Sequence, residues 1–173
     1  MVWQMLDRRK AVVQPGKPGV LTDALRREIA EVQTRYPTQQ AALLPAMLAI
    51  QRQVGYISSK AIVELADLLE LSAASVLDAL SFYSHLFREP VGRHVVVVCR
   101  GLSCELCGAA DLLSALKEKL SVTENGTTGD KRFTLIAEEC LGACERAPYL
   151  LINEDAHGPV RAEDLDSILS QYK

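Results

Sequence analysis

Val95-Val96-Val97-Val98-Cys99-Arg100-Gly101-Leu102-Ser103-Cys104 and, further along, Phe133-Thr134-Leu135-Ile136-Ala137-Glu138-Glu139-Cys140-Leu141-Gly142-Ala143-Cys144 decide the fold. Each stretch opens with an apolar run rich in strand-forming residues and closes with cysteines. The unbroken valines 95–98 suggest a strand buried on both faces. The cysteines should then sit on loops at strand C-terminal ends, where open α/β sheets hold their ligands. All five cysteines of the chain, Cys107 included, fall inside this window. An odd number fits a disulfide framework poorly, and in a reducing compartment such spacing points to metal or redox chemistry.

The cysteines can be grouped in several ways. In the first, Cys99-x4-Cys104 and Cys140-x3-Cys144 form two pairs. Four thiolates suit a [2Fe–2S] cluster, two to each iron, and the small residues between them would let backbone N–H groups approach the sulfides. Cys107 is then a spare thiol. In the second, Cys99, Cys104 and Cys107 follow the plant-type ferredoxin spacing C-x4-C-x2-C, with Cys140 or Cys144 as the fourth ligand. That spacing belongs on a loop, but residues 105–120 carry a strong helical period that would turn Cys107 away from Cys99. In the third, Cys104-Glu105-Leu106-Cys107 is a redox C-x-x-C at a helix N-terminus, which leaves the other three cysteines idle. Structural zinc is a fourth grouping, although the second arm is C-x3-C rather than a C-x2-C knuckle. Five incidental cysteines would not gather at two strand ends. The paired set, Cys99, Cys104, Cys140 and Cys144, is the favoured reading. His85, His94 and His157 could replace thiolates only in a Rieske-like centre. None lies within a cysteine loop, so core or surface roles are expected of them.

Outward from this window the pattern is alternately helix and strand. After Cys104 comes a helix with Ala109, Leu112, Leu113, Leu116 and Leu120 on one side. Residues 125–130 read as an exposed loop and 133–136 as the second strand. A third strand covers 149–152, a turn 153–158, a return strand 159–161, and a last helix about 162–172 with Leu165, Ile168 and Leu169 inward. Pro148 either holds the cysteine loop or begins an edge strand.

Upstream, four helices are expected. Thr22 caps the first, where Leu25, Ile29, Val32 and Tyr36 recur at helical spacing. The second covers about 41–53, with Leu44, Met47, Leu48 and Gln51 on one face and Pro45 in its first turn or at a kink. Ser58 or Ser59 caps the third, 60–70. Ser72 caps the fourth, 73 to about 88, with Val76, Leu80, Tyr83 and Phe87 inward; Phe82 is likewise read as core. Short loops between them make a small bundle. Glu89-Pro90-Val91-Gly92 breaks the pattern. The division is therefore an N-terminal arm at 1–21, a helical bundle domain at 22–90 and a second domain at 91–173. In the arm, Pro15 to Gly19 cannot continue regular structure, Arg8-Arg9-Lys10 reads as a solvated tail and Trp3 packs on a partner or on the body.

A net charge of −3 with no basic run argues against nucleic acid as a partner. The first ninety residues are nearly balanced, 10 basic against 9 acidic, whereas the rest carry 9 against 13, so the cysteine half is acidic. No apolar run approaches the roughly 20 residues of a membrane span. Met1 to Lys10 lacks the apolar core of a secretory signal, which points to a cytoplasmic protein.

At these residues the chain resembles a known family, the 24 kDa-type subunit of respiratory NADH:quinone oxidoreductase, known in bacteria as the E subunit. The resemblance runs over nearly the whole chain past Leu21. It rests on Ala42-Leu43-Leu44-Pro45, Ile50-Gln51, Gly55-Tyr56-Ile57, Ser81-Phe82-Tyr83-Ser84, Cys99-x4-Cys104, Glu139-Cys140-Leu141-Gly142-Ala143-Cys144 and Ala147-Pro148. It implies a mixed α+β and α/β fold: a four-helix bundle followed by a thioredoxin-like [2Fe–2S] ferredoxin domain of order β-α-β-β-β-α. It implies that Cys99, Cys104, Cys140 and Cys144 hold the cluster and that there are no catalytic residues on this chain. It implies docking on a flavoprotein subunit bearing FMN and oxidising NADH, among further iron–sulfur subunits in the peripheral arm of a membrane-associated complex. The same module resembles subunits of NAD-linked formate dehydrogenases and bidirectional hydrogenases. A rival of another class is a dithiol oxidoreductase using Cys104 and Cys107, and a third is a zinc-stabilised assembly protein. Two departures stand out: Leu80-Ser81 precedes Phe82-Tyr83 where the family has small Ala-Thr, and Cys107 is not a family ligand.

Glu105, Glu138, Glu139 and Glu145 flank the cysteines, and Arg100 and Arg146 could offset them. Negative charge near a cluster disfavours adding an electron. Glu139→Gln should therefore raise the midpoint potential in a redox titration; an unchanged midpoint would remove the rim from the account.

Overall fold

The structure, a computed structural model, describes residues 19–173. They divide into two compact units, one ending at Pro90 and the other starting at Val91. Trp3, Arg8-Arg9-Lys10 and most of the expected arm lie outside the described residues. Its last residues lie inside and are held. Leu21 is buried, and the Val20 and Leu21 N–H groups donate to the Glu64 carboxylate at 2.7 and 3.2 Å. Arg26 pairs with the same carboxylate at 2.6 Å, as a buried charge requires.

The first unit is helical: α1 (Asp23–Gln33), α2 (Gln39–Val54), α3 (Ser59–Leu68) and α4 (Ala73–Phe82). Each starts at a hydroxyl cap: Thr22, Thr38, Ser58 and Ser72 accept the N–H three residues on, at 3.0–3.2 Å. Pro45 lies inside α2, beyond its first turn. The buried face of α2 is Ala42, Leu43, Ala46, Met47, Ala49 and Ile50, not the expected set, and Leu48 is exposed. Small alanines let neighbouring helices approach this face. α1 stops before Tyr36, which is exposed.

The fourth helix is shorter than its period suggests. α4 ends at Phe82, and the backbone turns extended at Tyr83. The Gln51 side chain causes the departure: its amide donates to His85 O at 2.6 Å, and its carbonyl accepts the Phe87 N–H at 2.7 Å. The chain beyond the helix is clamped to α2, and Leu86, not Tyr83, enters the core. Phe82 and Tyr83 are thus 80% and 40% exposed, against the expectation of core residues.

The second unit is a five-stranded sheet of order β2-β3-β1-β4-β5. Its strands are β1 (His94–Cys99), β2 (Gly126–Thr127), β3 (Phe133–Glu138), β4 (Leu150–Ile152) and β5 (Asp155–His157). Between β1 and β2 lie α5 (Leu102–Leu106) and α6 (Ala109–Leu120); α7 (Leu165–Ser170) closes the chain. β1 is central, parallel to β3 and antiparallel to β4, and nearly all of it is buried, as its valines require. Its core partners include Leu112, Leu116, Leu135, Leu150, Ile152 and Leu165.

Three details differ from the sequence reading. The helix after Cys104 is split, because Gly108 adopts φ +97°, which breaks the helical path. A short strand, β2, stands in the expected 125–130 loop. The return strand is β5 at Asp155–His157, inside the expected turn; residues 159–161 form no strand. Asn153, at φ +55°, reverses the chain at once, so Asp155 already pairs with Ile152. Pro148 precedes β4 rather than beginning it, and its carbonyl accepts the Val160 N–H at 2.9 Å.

Leu135 is fully buried at the centre of this core, whereas Leu102 is 78% exposed. Leu135→Ala should cost about 2–5 kcal/mol of unfolding free energy. Leu102→Ala should stay within about 0.5 kcal/mol. Urea unfolding followed by circular dichroism measures both.

Candidate iron–sulfur centre

Parallel strands end together. Cα pairing sets Cys99, the last residue of β1, beside Glu138, the last of β3. β4 runs the opposite way and therefore starts at this same end, where Tyr149 O accepts the Cys99 N–H at 3.0 Å. Three chain segments thus converge on one edge: the turn after Cys99, the loop after Glu138, and the approach to β4.

The two cysteine loops touch. The Arg100 N–H donates to Glu138 O at 2.8 Å, and the Cys99 thiol donates to Glu139 O at 3.5 Å. Gly101 makes the approach feasible: a Cβ there would lie 2.9 Å from Glu139 O and 3.2 Å from the Cys140 Cβ. Its φ of −63° suits any residue, so the glycine is needed for space alone. In the second loop Gly142 is needed for conformation, with φ +79°.

Four thiols gather at this edge. Cys104 and Cys140 lie near enough to the Cys99 thiol to act on its pKa, as Cys99 and Cys144 do on that of Cys104. The Cys140 and Cys144 sulfurs are 4.0 Å apart. Cys99 and Cys104 are buried, while Cys140 and Cys144 face solvent. Burial pushes the Cys99 thiol up, but the backbone N–H groups of Leu141 and Gly101 and the neighbouring thiols outweigh it, leaving its pKa below the ordinary value. Burial, the shared hydrogen bond with Cys99 and nearby negative charge push Cys104 up to about 11. Backbone N–H groups aimed at a sulfur are what a cluster ligand uses.

Among the described residues, no three His, Cys, Asp or Glu side chains surround a single metal position. The one close sulfur pair is that of Cys140 and Cys144 in the second loop, while Cys99 and Cys104 come from the first. A binuclear cluster asks for this, two thiolates on each iron, and the soft donor set agrees. Cys107 behaves differently: it is exposed at the C-terminal end of α5, while Cys104, three residues earlier, is buried. Within the second unit, His94 lies at the opposite end of β1 from Cys99, and His157 hydrogen-bonds Tyr172 at 2.8 Å. Sequence reasoning missed the space requirement at Gly101, for which a glycine between two cysteines was the available signal.

A parallel–antiparallel sheet carrying two thiol pairs at one edge defines the class of iron–sulfur electron carriers. Residues 29–173 match the thioredoxin-like [2Fe–2S] ferredoxin family. The E subunit of the NADH-quinone oxidoreductase of Escherichia coli (strain K12) is 37% identical over 153 residues, 88% of this chain and 92% of that protein. The E 2 subunit of the Rhizobium meliloti (strain 1021) NADH-quinone oxidoreductase is 36% identical over 149 residues, 86% of this chain and 89% of that one. Among solved structures, an NAD+-reducing [NiFe]-hydrogenase in the H2-reduced state shares the fold, with TM-score 0.65 and 23% identity over 75% of this chain; the match spans only 22% of the hydrogenase chain. The chain belongs to the thioredoxin-like [2Fe–2S] ferredoxin family. Its cofactor is a [2Fe–2S] cluster and its work is electron transfer.

Gly101→Ala should force the two loops apart, costing about 1–3 kcal/mol and lowering iron and sulfide content per chain. Gly129→Ala, where an added Cβ meets nothing within 4 Å, should leave both unchanged.

Proposed function

We propose that this chain is the electron-transfer subunit of an NADH:quinone oxidoreductase. In this reading Cys99 and Cys104 hold the cluster from one loop, and Cys140 and Cys144 hold it from the other. The observation that carries it is the meeting of these four thiols at one sheet edge, in a chain similar along most of its length to E subunits of NADH-quinone oxidoreductases. When bound, the cluster supplies one-electron exchange. The chain's own residues fix its position, donate backbone N–H groups to its ligands and limit the access of water to Cys99 and Cys104. No group of the chain makes or breaks substrate bonds.

The redox partner is a flavoprotein subunit bearing FMN and oxidising NADH, with further iron–sulfur subunits beyond it. The surface around the thiols suits a protein partner. α5 turns Cys104 inward and shows Leu102 and Leu106 to solvent, 78% and 80% exposed, and Cys140 and Cys144 are exposed too. Leucines so placed contribute little to stability within one chain and much to an interface. No helix among the described residues is long and apolar enough to cross a membrane. In this reading the protein sits in the peripheral arm of the complex, held by contacts with its partner subunits.

The full chain, purified anaerobically, should carry two irons and two sulfides and give a [2Fe–2S] EPR signal after dithionite reduction. Serine at 99, 104, 140 or 144 should remove or alter that signal, while Cys107→Ser should preserve it. Loss of iron in Cys107→Ser alone would install the plant-type set instead. A folded, colourless chain that exchanges dithiols would support the dithiol oxidoreductase.

A further inference from the structure

One cation beside the thiols is engaged differently from the other. Arg146 lies over the Tyr149 ring at 5.7 Å and donates to Gly158 O at 3.3 Å, directed to backbone and ring. Arg100 follows Cys99 directly and forks between two carboxylates. One guanidinium nitrogen is 3.4 Å from Glu139 Oε1 and the other 3.7 Å from Glu124 Oε2. Glu139 immediately precedes Cys140. Glu124 stands beyond the end of α6 and is itself gripped by Lys117 at 2.5 Å. That hydrogen bond, with smaller help from the charges of Lys117 and Arg100, holds the Glu124 carboxyl below its ordinary range, so it is an anion at neutral pH. Arg100 thus spans both loops twice, by its backbone N–H to Glu138 O and by its side chain to Glu139. Both ion pairs are open to solvent, so their share in folding stability is small. What matters is that Arg100 adjoins Cys99 and Glu139 adjoins Cys140 in the chain.

We propose that Arg100 is a positioning residue for the redox centre. Its guanidinium ties the second cysteine loop to Glu124 and keeps a permanent positive charge beside Cys99, so that the centre accepts an electron more readily than its acidic rim alone would permit. A guanidinium does not lose its proton in a protein, so the charge is present at every working pH. Glu139 supplies the opposing charge, and the two act as a pair. This rests on the reading that Cys99, Cys104, Cys140 and Cys144 are the ligands.

The test is an EPR-monitored redox titration of the full-length chain and its variants, with iron quantified in each. Arg100→Gln should lower the midpoint and Arg100→Lys should stay close to wild type. The double variant Arg100→Gln/Glu139→Gln should return towards wild type, because it removes both members of the pair. Raising the salt to about 1 M, where screening acts within about 3 Å, should shrink the difference between wild type and Arg100→Gln. Iron content should be lower in Arg100→Gln than in Arg100→Lys if the loop is tied as described. If Arg100→Gln holds no cluster, Arg100→Lys, which keeps a cation able to reach Glu139, should hold one, and loss of iron in Arg100→Lys as well overturns the proposal. A midpoint in Arg100→Gln equal to wild type, with iron intact, overturns it too. So does a shift of the same size in Arg100→Lys, which keeps the charge. Absence of any [2Fe–2S] signal in the wild-type chain would instead sink the ligand assignment, which keeps the two failures apart.

Discussion

The parallel pairing of β1 with β3 is the constraint from which the rest follows. Two cysteine-bearing loops far apart in sequence meet because the strands before them run the same way and stop level, Cys99 against Glu138. That pairing is costly to form, since parallel strands need a long crossover before they can touch. The chain uses α5 and α6 for the crossover and offsets its cost by burying valines and leucines on both sides of the sheet. Slip the register by one residue and β1's alternating faces exchange, and the cysteines no longer meet. The apolar core and the redox centre therefore share one cause.

The site so built is asymmetric. Cys99 ends a buried central strand and Cys104 faces inward from a one-turn helix, so the first pair belongs to the framework. Cys140 and Cys144 belong to a loop open to solvent, whose course depends on Gly142 and on contacts with the first loop. The rigid half fixes where the centre is. The open half is the one that solvent reaches.

Much of this was legible in the sequence because the signals were local. The valine run demanded a buried strand, hydroxyls at 22, 58 and 72 announced helix starts, and cysteines after strands named the loops. What the sequence hid was non-local. The early end of α4 comes from Gln51, a residue on another helix, and no periodicity within 73–88 could reveal it. β2 forms because β3 offers it an edge, and β5 starts early because Asn153 turns the chain at once. The fork of Arg100 between Glu124 and Glu139 likewise needs three segments brought together by folding. For the same reason the spacing of the cysteines raised several groupings, and only folding shows that Cys104 is buried while Cys107, three residues on, is exposed.

Two adjacent positions in the first loop obey different laws. At 101 a single methyl group has no room, because the neighbouring backbone already occupies that volume. At 100 the side chain is part-exposed and engaged only through its charge, with Glu124 and Glu139. Descendants of this chain are thus forbidden to alter the spacing of the loops, whereas the charge beside them can change without moving the backbone. The protein has a fixed mould with a dial next to it, and its driving force can be retuned for a new redox partner without rebuilding the mould.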